Sequence, residues 1–277
     1  MKVWVSVHGR FHAFELASEL ARRQALAGVA TTYPRALARR HLPPGSVLKT
    51  APWLEAYRRL YQALPLGPRP DVPIACAFGR FAAAALPDRA DILVGWSGAT
   101  LEAISPAQRR GMRVVIERGS THIGHQAEVL GAEYQRLGIS GAAVDPVLIE
   151  RESEEYQAAD AIAVPSHFAA DTFISRGIDP KKLIVNPYGA DLTRYAERRS
   201  GSNASIIRVL LVGQVGARKG VPWLLKAFRH LGPQFRLQLV GPVEHYMHPF
   251  LRAEDPDRIQ VSGPPVSYTH LTLPTKA

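Results

Sequence analysis

VLLVGQVGARKGVP, residues 209–222, is the stretch that decides the fold class. Its apolar start predicts a buried strand, its glycines predict a tight turn, and Pro222 suits the first turn of a helix. That first turn has backbone N–H groups without intrahelical partners, and the helix dipole attracts anions there. Arg218 and Lys219 add two positive charges. The stretch therefore predicts a phosphate-binding turn, although an ordinary strand–helix turn with solvated cations has the same pattern.

Short apolar segments alternate with helical patterns on both sides of this stretch. Downstream, a helix to Leu231 and a strand at Phe235–Val240 complete a βαβ unit. The strands predicted upstream are Val3–Val7, Val29–Thr32, Asp91–Trp96, Arg113–Glu117, Ala161–Val164 and Leu183–Val185. The helices predicted upstream run over about 13–27, 146–158 and 166–176. Such alternation predicts parallel sheets covered on both faces, and the small polar run 199–203 predicts a linker between two of them.

The composition limits the classes of function. The 277 residues include 34 Lys and Arg against 24 Asp and Glu, a net charge of +10 that favours anionic partners or a solvated basic surface. The single cysteine, Cys76, excludes an intramolecular disulfide and fits a reducing compartment. No apolar run approaches the ~18 residues of a membrane span, and the N-terminus does not have the pattern of a signal peptide. Together these features lead us to expect a cytoplasmic protein. No nucleic-acid-binding module is recognisable, so we expect no nucleic-acid partner.

A series of motifs surrounds the predicted phosphate turn. The series is Val164–Phe168, Gly177–Asp179, Lys182–Asp191, Val212–Gly213, Lys219–Gly220, Leu224–Phe228 and Leu239–Gly241. In this order and spacing it resembles the retaining glycosyltransferases of family 4, which use nucleotide sugars. The resemblance covers roughly residues 1–265 and is strongest over 159–241. It implies an α/β, GT-B-like fold, in which two Rossmann-like parallel-sheet domains face each other across a cleft.

The resemblance also implies an activity and a set of site residues. A retaining hexosyl-type transferase moves a sugar from a nucleotide-diphosphate donor to a hydroxyl of a glycan or lipid-linked acceptor, as in polysaccharide biosynthesis, without a metal or cofactor. Lys219 matches the family's diphosphate-binding lysine, whereas Gln214 stands where the family usually has an arginine. Arg218 is the candidate replacement for that cation. Gly9 matches the family's N-terminal glycine loop, and His122 matches the histidine that contacts the transferred sugar.

Other assignments remain open for these loops and for the acidic helix. The turn at Gly9 is also typical of a plain βα connection, and a loop histidine is often solvated or a cap. His125 is the near competitor of His122 for the sugar contact. Three glutamates over 152–155 resemble the paired carboxylates of glycoside hydrolases, but their place on a helix predicts a solvated face instead.

One helical segment has three alternative interpretations. Aromatic and leucine side chains share one face over residues 53–64, with Arg58 and Arg59 off that face. We expect this face to pack on the core, to touch the acidic inner surface of a membrane, or to help hold the acceptor. No Cys/His cluster has the spacing of metal ligands, so no metal site is expected.

The end of the chain departs from the family pattern. We expect an N-terminal, acceptor-side domain over 1–200, a partial donor domain over 205–265 and a non-native tail over 266–277. The family's paired glutamates, which contact the donor's sugar and ribose, have no match after Gly241. An incomplete second domain predicts a chain that is poorly soluble or inactive. The alternative function is therefore a non-catalytic fragment that binds phosphate or nucleotide.

Overall fold

The structure is a computed structural model that describes residues 1–64, 70–189, 192 and 206–263. The predicted linker at 199–203 and the predicted tail at 266–277 lie outside the described residues. Two compact units are formed by these residues, one from 1–128 and 144–189 and the other from 129–143, 192 and 206–263.

The first unit is built on a parallel sheet. Its described strands are β1 Val3–Val7, β2 Leu26–Thr31, β3 Leu48–Thr50, β4 Ile92–Trp96, β5 Arg113–Glu117, β6 Ala161–Val164 and β7 Leu183–Val185. The order across the sheet is β3-β2-β1-β4-β5-β6-β7, and every neighbouring pair is parallel. All five side chains of β1 are buried, as expected for a strand covered by helices on both faces. The order changes direction between β1 and β4, which makes their carboxyl ends the usual place for a ligand.

Helices connect these strands. They are α1 Ala13–Arg22, α2 Arg35–Ala38, α3 Pro52–Ala63, α4 Asp71–Ala84, α5 Leu101–Arg109, α6 Ile123–Arg136, α7 Pro146–Ala158 and α8 His167–Ile174. Helix α8 has the predicted cap, because the Ser166 hydroxyl accepts the Ala169 N–H at 3.2 Å. Helix α1 ends before the predicted position, since Gln24 has a left-handed φ of 55° and turns the chain into β2.

The apolar face predicted over residues 53–64 mostly points to solvent. Leu54 is buried, but Trp53, Tyr57, Leu60 and Leu64 are each 50–61% exposed. Core packing is therefore the wrong interpretation for these four side chains, because α3 packs on α4 through only part of its circumference.

The second unit has a smaller parallel sheet. Strands β8 Ile207–Val212, β9 Phe235–Val240 and β10 Ile259–Ser262 lie in the order β10-β9-β8, with helices α9 Val221–Phe228 and α10 His248–Arg252. Its core joins the inner face of α9 to Leu237 and Leu239 of β9. The predicted βαβ unit is thus confirmed, and both described sheets are parallel, as the alternation of strands and helices indicated.

Candidate functional site

The turn after β1 lies at the carboxyl edge of the first sheet. Gly9 has a φ of 94°, a conformation that favours glycine. Its N–H donates to Thr32 Oγ1 at 2.8 Å, and its carbonyl accepts the Thr31 hydroxyl at 2.6 Å. The end of β2 therefore fixes the shape of this turn.

His122 lies at the same edge, after β5, and is buried. Its N–H donates to Thr172 Oγ1 at 3.0 Å, and its Nδ1 accepts the Gly124 N–H at 3.0 Å. The ring packs edge-on against Tyr156 and Phe173, with centroids 5.0 Å apart in both pairs. His122 is thus held in one orientation, and since Nδ1 accepts a hydrogen bond, the neutral ring has its proton on Nε2.

The surroundings of His122 keep the ring uncharged. Burial lowers its pKa to about 4, and the positive charges of Arg176 and Arg118 act in the same direction. Glu128 opposes this shift with a smaller effect. A ring that is neutral at physiological pH can donate a hydrogen bond from Nε2 to a hydroxyl or oxyanion, but it is poorly suited to exchange a proton near neutrality.

Arg118 holds the loop that leads to His122. Its Nε donates to the Thr121 carbonyl at 3.0 Å, and its other nitrogens donate to Glu152 at 2.7 Å and to the Gln126 side chain at 3.1 Å. The Arg118–Glu152 ion pair, whose side chains are 12% and 9% exposed, therefore ties the loop after β5 to helix α7.

The solvated face predicted for the glutamates over 152–155 is wrong for two of the three. Glu154 is exposed, but Glu152 and Glu155 are buried. Glu152 accepts hydrogen bonds from Arg118, the Ser97 hydroxyl and the Tyr156 hydroxyl. Glu155 accepts three backbone N–H groups, those of Gly98 at 2.6 Å, Thr100 at 2.7 Å and Leu101 at 3.0 Å. The three partners of Glu155 lie more than fifty residues away in the sequence, so no local pattern in α7 shows them.

A second polar cluster at this edge was not found from the sequence. His12 Nε2 lies 3.2 Å from Glu117 Oε1, and the Tyr188 hydroxyl donates to the same oxygen at 3.4 Å. The His12 ring packs against Trp96 and Tyr188, with centroid distances of 5.1 and 4.5 Å. Burial raises the pKa of Tyr188 to about 12, and the adjacent Glu117 carboxylate adds to the shift. A Cβ at Gly119 would lie 2.5 Å from the Tyr188 hydroxyl, so glycine permits this approach.

In the second unit, glycines shape the turn after β8. Gly213 has a φ of 144°, and Gly220, which precedes α9, has a left-handed φ of 67°. A Cβ at Gly241 would overlap the Gly213 carbonyl, so two backbones approach closely here. Lys219 passes over this turn, with its Cε 3.7 Å from the position of a Cβ on Gly213.

The residues predicted to hold a diphosphate divide into two groups. Arg218 and Lys219 are exposed. The Gln214 amide instead donates to Glu244 Oε1 at 2.6 Å, and the other Glu244 oxygen accepts the Tyr246 hydroxyl. Gln214 therefore helps to hold the turn in shape. The two exposed positive charges of the turn belong to Arg218 and Lys219.

The first turn of α9 offers fewer backbone donors than expected from the sequence. The Val221 N–H donates to the Gly216 carbonyl at 3.3 Å, and Pro222 has no N–H. An anion at this turn would therefore depend mainly on the side chains of Arg218 and Lys219.

Among the described residues, no three His, Cys, Asp or Glu side chains are placed to hold a metal ion. Over the same part of the chain, no helix is long and apolar enough to cross a membrane.

The two parallel sheets with their covering helices define an α/β protein of GT-B-like fold. No model of a known protein family matches the sequence, and no curated protein matches it. Among solved structures, the chain is similar to Anabaena HepE in complex with UDP and glucose, with a TM-score of 0.58, 15% identity, and coverage of 96% of this chain and 70% of that one. A putative UDP-N-acetylglucosamine 2-epimerase from Listeria monocytogenes gives a TM-score of 0.53 at 11% identity, with coverage of 95% and 69%. MnaA of S. aureus bound to UDP gives 0.51 at 14% identity, with coverage of 96% and 70%. At these identities the likeness shows the fold.

Proposed function

We propose that the chain acts on nucleotide sugars, as a glycosyltransferase that moves a sugar from a nucleotide diphosphate to an acceptor hydroxyl with retention of configuration. The observation that carries the proposal is the turn after β8, which presents Arg218 and Lys219 to solvent at the end of a parallel strand. The complexes of HepE and MnaA with UDP support a uridine nucleotide as the first donor to test.

The proposed roles follow from the chemistry of each group. Lys219 and Arg218 would stabilise the negative charge that develops on the departing diphosphate, the task that a metal performs in other enzymes. Gln214 would keep the turn in shape rather than supply charge. His122 would donate from Nε2 to a hydroxyl of the transferred sugar, and the Gly9 turn would let the backbone approach a ligand closely.

Donor binding tests the diphosphate site. In calorimetric titrations with UDP-glucose, UDP and GDP-mannose, Lys219→Ala and Arg218→Ala should each weaken binding of the preferred ligand by roughly 10- to 100-fold, because each removes a charge-assisted hydrogen bond. Lys226→Ala is the matched control, since Lys226 is exposed on α9 and packs over Trp223, 5.3 Å from the ring centroid. If all three variants bind like the wild type, the proposed diphosphate site is wrong.

The products of the reaction separate the remaining candidate functions. Transfer of sugar to an acceptor supports the glycosyltransferase, and NMR of the new glycosidic bond tests retention. Conversion of UDP-N-acetylglucosamine to its C2 epimer would instead indicate an epimerase, the activity named for the Listeria monocytogenes neighbour. Donor binding without any turnover would indicate the non-catalytic alternative.

We further propose that the protein is cytoplasmic and touches the membrane through the outer face of α3. Trp53, Tyr57 and Leu60 form an exposed apolar stripe on this helix. Arg58 and Arg59 both pair with Glu55, so the apolar side chains should contribute more than charge. The wild type should co-sediment with vesicles that contain phosphatidylglycerol. Replacing the three apolar residues by Ser should abolish this co-sedimentation. Absence of wild-type binding would refute the contact.

A further inference from the structure

Three side chains in and just after β1 have buried polar atoms that make no hydrogen bond to any residue that the structure describes. These atoms are Trp4 Nε1, Ser6 Oγ and His8 Nε2. Side chains at alternate positions of a strand point to the same face of the sheet. The three side chains therefore form one line, the β1 row, which ends at His8 beside the Gly9 turn.

We propose that fixed water molecules bind along the β1 row and bridge Trp4, Ser6 and His8. Buried polar groups are nearly always hydrogen-bonded, and an internal water is the usual partner where the protein supplies none. Without partners, each of the three groups would lower the stability of the fold. A shared set of waters satisfies all three at once.

The β1 row lies inside the core of the first unit. Trp4 and Ser6 are each 1% exposed, and Trp4 belongs to the same apolar cluster as Phe78 of α4. The Phe78 ring also lies edge-on to His8, 5.7 Å between centroids, and a phenyl ring offers no oxygen or nitrogen. Bulk solvent does not reach Trp4 Nε1 or Ser6 Oγ, so their partner must be an internal molecule.

The neighbours of Ser6 leave room for a water and supply a further partner for it. In register with Ser6 are Ala30 of β2 and Gly95 of β4, the two smallest kinds of residue. The Thr100 side chain fills the space above Gly95, where a Cβ would overlap it. Its hydroxyl donates to the Trp96 carbonyl at 2.8 Å and can still accept a hydrogen bond. A water beside Ser6 can thus reach the two to four polar partners that such sites have.

The spacing of the β1 row suits bridging by single waters. Alternate residues of a strand are about 6.6 Å apart, and a water with a hydrogen bond on each side spans about 5.6 Å. The six-membered ring of Trp4 lies over Gly28 of β2, where a Cβ would overlap it. The indole N–H is at the opposite edge of the side chain, away from Gly28, and is available to the row.

His8 completes the β1 row as a neutral ring. Burial lowers the pKa of His8, and the positive charge of Arg58 acts in the same direction, while Glu55 and Asp71 oppose the shift. A neutral ring needs one hydrogen bond at Nε2, which a water can either donate or accept. The last water therefore holds the His8 ring in place beside Gly9, at the carboxyl edge of the sheet.

The first test detects the water directly in the wild-type chain labelled with ¹⁵N. Nuclear Overhauser transfer from water to the indole N–H of Trp4 should have the sign that a long-lived internal water gives. Trp223 is the control, since its indole donates to Glu133 and its side chain is 46% exposed. Replacing Trp53, Trp96 and Trp223 one at a time by Phe identifies the Trp4 signal as the one that always remains. No such transfer to Trp4 would overturn the inference.

The second test removes the middle of the β1 row. Ser6→Ala should raise the equilibrium constant of unfolding by roughly tenfold in urea denaturation, because the water loses a partner. On a dry face the same substitution deletes an unpaired hydroxyl, so stability would stay the same or increase, and that result would contradict the inference. Ser153→Ala is the matched control, because the half-buried Ser153 hydroxyl donates to the Ile149 carbonyl of its own helix at 2.7 Å. It should change the constant by less than about threefold.

Discussion

Two glycine turns follow strands of the two sheets, and they differ in what surrounds them. Gly9 in the first turn has a φ of 94°. Its backbone is hydrogen-bonded to Thr31, the last residue of β2, and to Thr32, which follows it. The turn at Gly213 has a φ of 144° and carries exposed cations. Beside the first turn, Thr31 and Thr32 are buried and their hydroxyls bond to the Gly9 backbone. Beside the second, Gln214, Glu244 and Tyr246 are bonded to one another, while Arg218 and Lys219 are exposed.

This difference shows how the protein distributes its charges. In the first unit, Arg118 and Glu152 neutralise each other in the folded state and fix the loop to His122. Such a cluster fixes the positions of side chains. In the second unit, Arg218 and Lys219 have no acidic partner among the described residues. They are exposed, so their charges cost little free energy and are available to an anion. The first turn is therefore built for geometry and the second for charge.

The largest predicted effect breaks the buried cluster of the first unit. Glu152→Ala removes the acceptor for Arg118, Ser97 and Tyr156 and leaves the guanidinium of Arg118, 12% exposed, without a carboxylate partner. We expect the free energy of unfolding to fall by about 3 kcal/mol, measured by urea denaturation. Glu154→Ala, on the same helix but exposed, should change it by less than about 0.5 kcal/mol. Equal effects of the two substitutions would restore the solvated-face interpretation of α7.

A smaller effect concerns the pH dependence of stability. The pKa of His122 is lowered from 6.5 to about 4 in the folded state, so the unfolded chain binds a proton more readily. The stability that this neutral histidine contributes is complete above pH 6.5 and is lost as the pH falls toward 4. After allowance for solvent screening, the wild type should lose on the order of 1–2 kcal/mol more than His122→Gln between pH 7 and pH 4.5. If urea denaturation shows that the wild type and His122→Gln lose equal stability over this pH range, the His122 ring is not held neutral.

Apolar runs made the strands predictable. The strands Arg113–Glu117, Ala161–Val164, Leu183–Val185 and Phe235–Val240 have the predicted bounds. Buried strands of a parallel sheet need continuous apolar residues, and glycines or prolines mark their ends. Helix α4 was not predicted from the sequence, although Pro73 lies in its first turn, where proline is tolerated.

The site was predictable only where it is local. The strand, glycine turn and cations at 209–222 are contiguous, so sequence spacing indicated the charged turn directly. His12 and Glu117 are 105 positions apart, and Tyr188 is 71 positions beyond Glu117. They meet because β1, β5 and β7 end at the same edge of one sheet. Nothing in the local sequence of any of the three indicates that contact.

The smallest predicted effect concerns the backbone of the charged turn. Gly220 has a left-handed φ of 67°, and a Cβ there would meet no atom within 4 Å, so a substitution meets conformational strain alone. Gly220→Ala should lower the free energy of unfolding by about 1 kcal/mol, and Gly220→Asn should lose less, because asparagine tolerates this conformation. Denaturation with and without UDP separates two possibilities. If Gly220→Ala weakens UDP binding as well as stability, the left-handed turn places Lys219; if it changes stability alone, UDP binding does not depend on the backbone shape of this turn.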